Sequence, residues 1–171
     1  MRCPPPALTL RPVLALLWLT SACGPADALR EYFREPSPHE AYHLGLAQAG
    51  LASTALGQDW VRSAQEALAR PLAVDAPYQE EGYFPAEEAP ALGYRLPLRR
   101  GQRLEVRVEV DGAEPARIFL DLFRAAPDSL RAPARVLSGE AGAGMVFEPR
   151  RSGDYLLRLQ PELLRGGRFR V

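Results

Sequence analysis

The two histidines of this 171-residue chain sit four apart: His39, Glu40, Ala41, Tyr42, His43. On a helix this H-E-x-x-H spacing puts both imidazoles on one face, where they can bind zinc while the glutamate polarises a water. The surroundings argue for a plainer role. Ser37, Pro38 and Glu40 read as a helix start, with Ser37 as N-cap, Pro38 at the first helical position and Glu40 closing a capping box. That places His39 at the very beginning of the helix and gives Glu40 structural work. The chain has no third histidine. His39 and His43 are therefore weak metal candidates on a surface helix start, and a minimal zinc protease is the lesser alternative.

Cys23 is the other residue with chemistry of its own. Arg2 and Arg11 precede a short apolar run from Val13 to Leu19, followed by Thr20, Ser21 and Ala22. This is the layout of an export signal spanning residues 1–22, too short to cross a bilayer core of roughly 30 Å as a helix. Leu19-Thr20-Ser21-Ala22-Cys23-Gly24 resembles a bacterial lipobox, with Thr20 where an aliphatic residue is usual, so Cys23 is the expected lipidation site. Gly24 after it, rather than Asp, implies delivery to an outer membrane or the periplasm. Ala26-Asp27-Ala28 offers a competing site for ordinary cleavage and a secreted, soluble product. Cys3 and Cys23 are the only cysteines, so a mature domain beyond the leader has no thiol for a disulfide or a thiolate metal site.

Composition narrows the function further. All 21 basic residues are arginine, balanced by 21 acidic ones, for a formal net charge of zero. The absence of lysine excludes Schiff-base chemistry and a phosphate-binding P-loop. No strongly basic field exists to draw in nucleic acid. No Ser sits in a G-x-S-x-G elbow, and Gly139–Gly144 lacks the following helix that a phosphate cradle needs. Glu80-Glu81 and Glu87-Glu88 lie in a Pro-rich stretch and read as solvated. Arg99, Arg100, Arg103, Arg165, Arg168 and Arg170 have acidic neighbours and read as a salt-bridged face. No catalytic residue and no cofactor is expected.

The elements that must position these residues follow from periodicity. Residues 23–36 form a tether and residues 37–71 a helical hairpin. Its second helix is expected over Asp59 to Arg70, from Trp60, Val61, Ala64, Ala67 and Leu68 at helical spacing. Residues 72–93 read as a connector with a short extended piece at Tyr83-Phe84. From 94 to 171 strands dominate. Arg103 to Val110 alternates strictly, with Leu104, Val106, Val108 and Val110 on one face. Arg117 to Arg124 is apolar on both faces except at Asp121 and reads as a central strand. Asp154 to Gln160 is another, with Tyr155 expected to tie the strand to a loop as a corner tyrosine. The fold class is α+β: an N-terminal αα-hairpin, then a jelly-roll-like antiparallel β-sandwich. Arg168 to Val171 looks like an unpaired edge strand, from which a longer parent chain is expected.

Several stretches are similar to a known family. Ser37–Tyr42, Ala49-Gly50-Leu51, Thr54–Gly57, Asp59-Trp60, Glu81–Phe84, Gly93–Leu96, Arg100-Gly101-Gln102 and Leu159–Gly167 resemble the non-catalytic N-terminal region of secreted lysostaphin/LytM-type zinc peptidoglycan endopeptidases. The strand region resembles a pre-peptidase C-terminal β-sandwich. The family's catalytic H-x-x-x-D and H-x-H motifs do not occur here, so no catalytic residue carries over. The resemblance implies an exported cell-envelope lipoprotein, held to the membrane by its lipid, serving as an accessory module beside a peptidase domain or on peptidoglycan itself. The alternative is a carbohydrate- or protein-binding envelope lipoprotein unrelated to peptidases.

Overall fold

Ser37 starts the first helix as the sequence indicates. In the computed structural model, which describes residues 35–112, 115–126 and 131–171, the Ser37 N–H donates to Glu40 Oε2 at 2.8 Å. The Glu40 N–H donates back to Ser37 Oγ at 3.2 Å, and this capping box opens α1 (Pro38–Gln48). The signal at 1–22, Cys23 and the Ala26–Ala28 site lie outside the described residues. Gly50 breaks the helix with a left-handed backbone, φ 73°, which glycine adopts without a Cβ penalty. A short 3₁₀ turn (Leu51–Ser53) leads into α2 (Ala55–Ala69). That helix starts four residues before the expected Asp59, because Thr54 Oγ1 accepts the Gly57 N–H at 3.1 Å and caps the additional turn.

Ten strands follow: β1 (Leu72–Ala73), β2 (Glu81–Phe84), β3 (Leu92–Leu98), β4 (Leu104–Val106), β5 (Glu109–Asp111), β6 (Ile118–Arg124), β7 (Ala134–Glu140), β8 (Met145–Phe147), β9 (Gly153–Pro161) and β10 (Gly167–Arg170). A five-stranded sheet has the order β1-β3-β9-β6-β7; β2-β10-β5 and β4-β8 form two smaller sheets. Among the described strands, only the β1–β3 pairing is parallel. Among the described residues the fold is thus mixed α+β, with two α-helices and mostly antiparallel sheets.

One core joins the sheets. Tyr94, Leu96, Ile118, Leu120, Leu122, Leu157 and Leu159 of the large sheet meet Phe84, Leu104, Val106, Met145 and Phe169 of the small ones. The opposite face of the large sheet is covered by the helices, through Leu46, Trp60 and Phe119. Burial on both sides is why β6 reads as continuously apolar. Helix and sheet approach closely: a Cβ built on Gly93 would lie 1.8 Å from the Ala67 carbonyl oxygen. Residues Pro36–Val171 form one compact unit. Among the described residues, no helix is long and apolar enough to cross a membrane.

Three expectations need correction. The alternating run from Arg103 to Val110 is two strands, because residues 104–106 pair with β8 and 109–111 with β10. The alternation persists through the break because Leu104, Val106 and Val108 all face the same core. The final strand is no exposed edge: β10 is hydrogen-bonded to β2 on one side and β5 on the other. The stretch 72–93 is more than a connector, since it supplies β1, all of β2 and the first residues of β3.

Candidate functional site

The α1 helix turns His39 inward and His43 outward. His39, expected on the surface, is only 8% exposed. Its ring stacks on Trp60 at 4.4 Å and meets the edge of Phe119 at 5.9 Å. Its Nε2 lies 2.6 Å from Gln160 Oε1. The Gln160 amide is oriented by two further bonds, its Nε2 donating to the Trp60 carbonyl at 2.7 Å and to Ser63 Oγ at 3.2 Å. Gln160 Oε1 therefore faces the imidazole as an acceptor, and His39 donates from Nε2. Burial, then the nearby Arg158 charge, holds His39 down to about 4.

Glu40 is drawn toward β7, where Arg135 Nη1 approaches its Oε1 at 2.6 Å and Nη2 donates to its Oε2 at 2.8 Å. Arg135 also donates to Ser37 Oγ at 2.8 Å, so the cap is fixed from outside the helix. His43 remains exposed. The three residues of the H-E-x-x-H pattern thus do not converge: His39 faces Gln160 of β9, Glu40 is held by Arg135 of β7, and His43 is exposed. Among the described residues, no group of three or more His, Cys, Asp or Glu side chains is arranged to hold a metal ion.

The feature with the form of a binding site lies elsewhere. Between the edge of the large sheet and strands β4, β5 and β10 runs a groove of about 450 Å³, a size typical of small-ligand sites. Its floor is aliphatic: Leu96, Leu104, Val106 and Leu157, with Val74 at one end. Tyr78 and Tyr94 form one wall, their ring centroids 5.8 Å apart. Both hydroxyls donate to Glu80 Oε2, at 2.8 and 2.9 Å. Glu80 is therefore not merely solvated, as the connector reading had it; it locks two aromatic rings. Burial and this carboxylate push the Tyr94 phenol far up, and the Glu80 hydrogen bond raises Tyr78 as well. Both stay neutral donors at ordinary pH.

The lip carries paired charges. Arg107 Nη2 lies 2.6 Å from Glu105 Oε1, and Arg170 reaches Glu81 at 2.7 Å and Glu109 at 3.4 Å. Arg103 stands against Glu148 at 3.8 Å, so Arg103 and Arg170, two of the six arginines expected on a salt-bridged face, are paired with carboxylates. The groove lining holds no serine, cysteine or histidine. What it offers is an aliphatic bed, two fixed aromatic rings and a lip of both signs, which is equipment for holding a ligand. No sequence signal marked it, because its residues come from positions 74 to 171 and meet only in the fold.

A second cleft, of about 640 Å³, opens on the other side of β4 and β5, floored by Val108, Ala116 and Met145. Gly142 and Gly144 lie at its margin, in the turn that joins β7 to β8, as suits a glycine-rich stretch without a following helix.

No family model matches the chain, and no curated protein does. Three solved structures are similar to part of it. The pre-peptidase C-terminal domain of collagenase from Bacillus anthracis is 12% identical with a TM-score of 0.47, over 59% of this chain and 91% of that one. The periplasmic inhibitor of g-type lysozyme from Aeromonas hydrophila is 15% identical with a TM-score of 0.41, over 57% and 90%. The corresponding inhibitor from Salmonella Typhimurium is 15% identical with a TM-score of 0.34, over 57% and 92%. None of these three is a lysostaphin/LytM-type endopeptidase. At TM-scores below 0.5 they are partial likenesses, and the functional reading rests on this chain's own residues.

Proposed function

We propose that this chain is an exported, non-catalytic binding module of the cell envelope, anchored by a lipid on Cys23 and acting beside a peptidoglycan-directed metallopeptidase. The observation that carries the binding role is the groove between β3, β4 and β10, with its aliphatic floor and its Tyr78–Glu80–Tyr94 wall. A bed of this kind suits the ring faces and alanine methyls of peptidoglycan, and a lip of both signs suits stem peptides that carry amines and carboxylates. The signal layout at 1–22 and the lipobox-like stretch before Gly24 support export and anchoring. The use of His39 and Glu40 in packing weighs against the minimal zinc protease.

The deciding experiment is co-sedimentation of the mature protein with purified peptidoglycan sacculi. The wild type is expected to pellet with the sacculi, and Tyr78→Ala is expected to lose most of that binding while keeping its melting temperature. Wild-type protein that stays in the supernatant overturns the peptidoglycan reading and moves weight to a protein-binding envelope lipoprotein. Anchoring is tested separately by palmitate labelling. Label that disappears in Cys23→Ala supports the lipid; an unlabelled product beginning at Leu29 sinks it.

A further inference from the structure

The α1 helix makes an unusual kind of attachment. It is the first element of the compact unit and contributes no strand, so its departure would break no ladder. Only His39 and Leu46 are buried along its length, and Leu44 is 53% exposed. Its apolar hold is a small patch, Leu46 with the Tyr42 and His39 rings against Trp60 and Phe119, and polar contacts add to it. They are the His39–Gln160 bond, the Ser37 and Glu40 contacts to Arg135, and the Leu163 N–H donated to the Tyr42 hydroxyl at 2.9 Å.

One of these anchors responds directly to acid. His39 is docked neutral, with its Nε2 proton donated to Gln160, so an added proton must go to Nδ1 and leave a buried imidazolium. The charged and titratable groups around it are Arg158 on β9, Asp121 on β6 and His43 on α1, with Glu40 and Arg135 at the start of the helix. Asp121 would favour the imidazolium, but it is engaged by Arg158 at 2.6 Å. The Trp60 face also favours a cation. Burial and Arg158 outweigh both.

We propose that α1 is an acid-releasable strap: protonation of His39 frees residues 37–49 from the sheet, while the β-rich remainder stays folded. Release uncovers the apolar patch of Trp60 and Phe119 that α1 covers through Tyr42 and Leu46. The inference is independent of what the groove binds. The sign is fixed by linkage. A released His39 titrates at its ordinary 6.5 and a docked one at about 4, so docking is fully favoured above 6.5 and weakens as pH falls toward 4. Over that window the release equilibrium shifts by up to about 300-fold.

Hydrogen exchange of the mature protein, corrected for intrinsic rates, tests this between pH 7.5 and 4.5. Protection in residues 37–49 is expected to fall by tens-fold or more toward the acid end, while β6 and β9 keep theirs. In His39→Gln, which preserves a donor to Gln160, most of that pH dependence should vanish. Equal protection of α1 at both pH values overturns the proposal, as does simultaneous loss of protection in α1 and β9. Undiminished pH dependence in His39→Gln also overturns it. Should that variant not fold, histidine NMR of the wild type decides. A His39 resonance titrating near 6.5 with α1 still docked refutes the strap, and one still neutral near pH 5 supports it.

Discussion

Asp121 and Arg158 face each other across the β6–β9 ladder, Oδ2 to Nη2 at 2.6 Å, both buried on the side of the sheet that the helices cover. A charge pair in such a place owes its existence to both partners being present. Its place in the register, Asp121 opposite Arg158, brings the two charges together across the ladder.

Asp121→Asn should therefore be costly, because it leaves the Arg158 guanidinium buried without its counter-charge. The expected loss is about 3–5 kcal/mol, read from urea unfolding. The double variant Asp121→Leu with Arg158→Met should recover most of it, since well-packed apolar side chains often replace a buried pair without penalty. A single variant that unfolds like wild type would show that the pair is solvated.

Val108→Asp tests the interrupted run between β4 and β5. Val108 is buried although it lies outside both strands, because the segment still faces the shared core. A carboxylate there has no partner and should cost at least about 3 kcal/mol. Unchanged thermal melting would mean that this segment does not pack as described.

The groove wall makes a prediction about alkaline pH. The Tyr94 phenol is raised above its ordinary value of 10 by burial and by Glu80. Its neutral form therefore stabilises the fold below pH 10, and that stability is lost as pH climbs beyond it. Spectrophotometric titration should show a phenol that resists ionisation in the folded wild type. In Glu80→Gln that phenol should ionise at lower pH. An identical titration curve in the variant would mean that the Glu80 hydrogen bond does not form.

Local chemistry was legible in the sequence wherever its partners lie within a few residues. The Ser37–Glu40 capping box and the inward row of Leu104, Val106 and Val108 are set by spacing alone. So is the corner tyrosine, whose hydroxyl donates to the Arg151 carbonyl at 2.9 Å. The early start of α2 has a local signal too, since Thr54 is an ordinary N-cap, although the apolar periodicity begins only at Trp60.

What the sequence by itself determined is the first helix, the body of the second, the central strands around Ile118–Arg124 and Asp154–Gln160, and that the H-E-x-x-H pattern stands at a helix start rather than inside a long helix. Only the tertiary structure decided that His39 faces Gln160, that Arg158 finds Asp121, that β10 is an inner strand, and that Tyr78 and Tyr94 share Glu80. The reason is physical. Spacing fixes which side chains share a face of their own element, but what that face meets depends on strand register and on where the helices settle. His39 and Gln160 are 121 residues apart, and only chain packing brings them to hydrogen-bond distance.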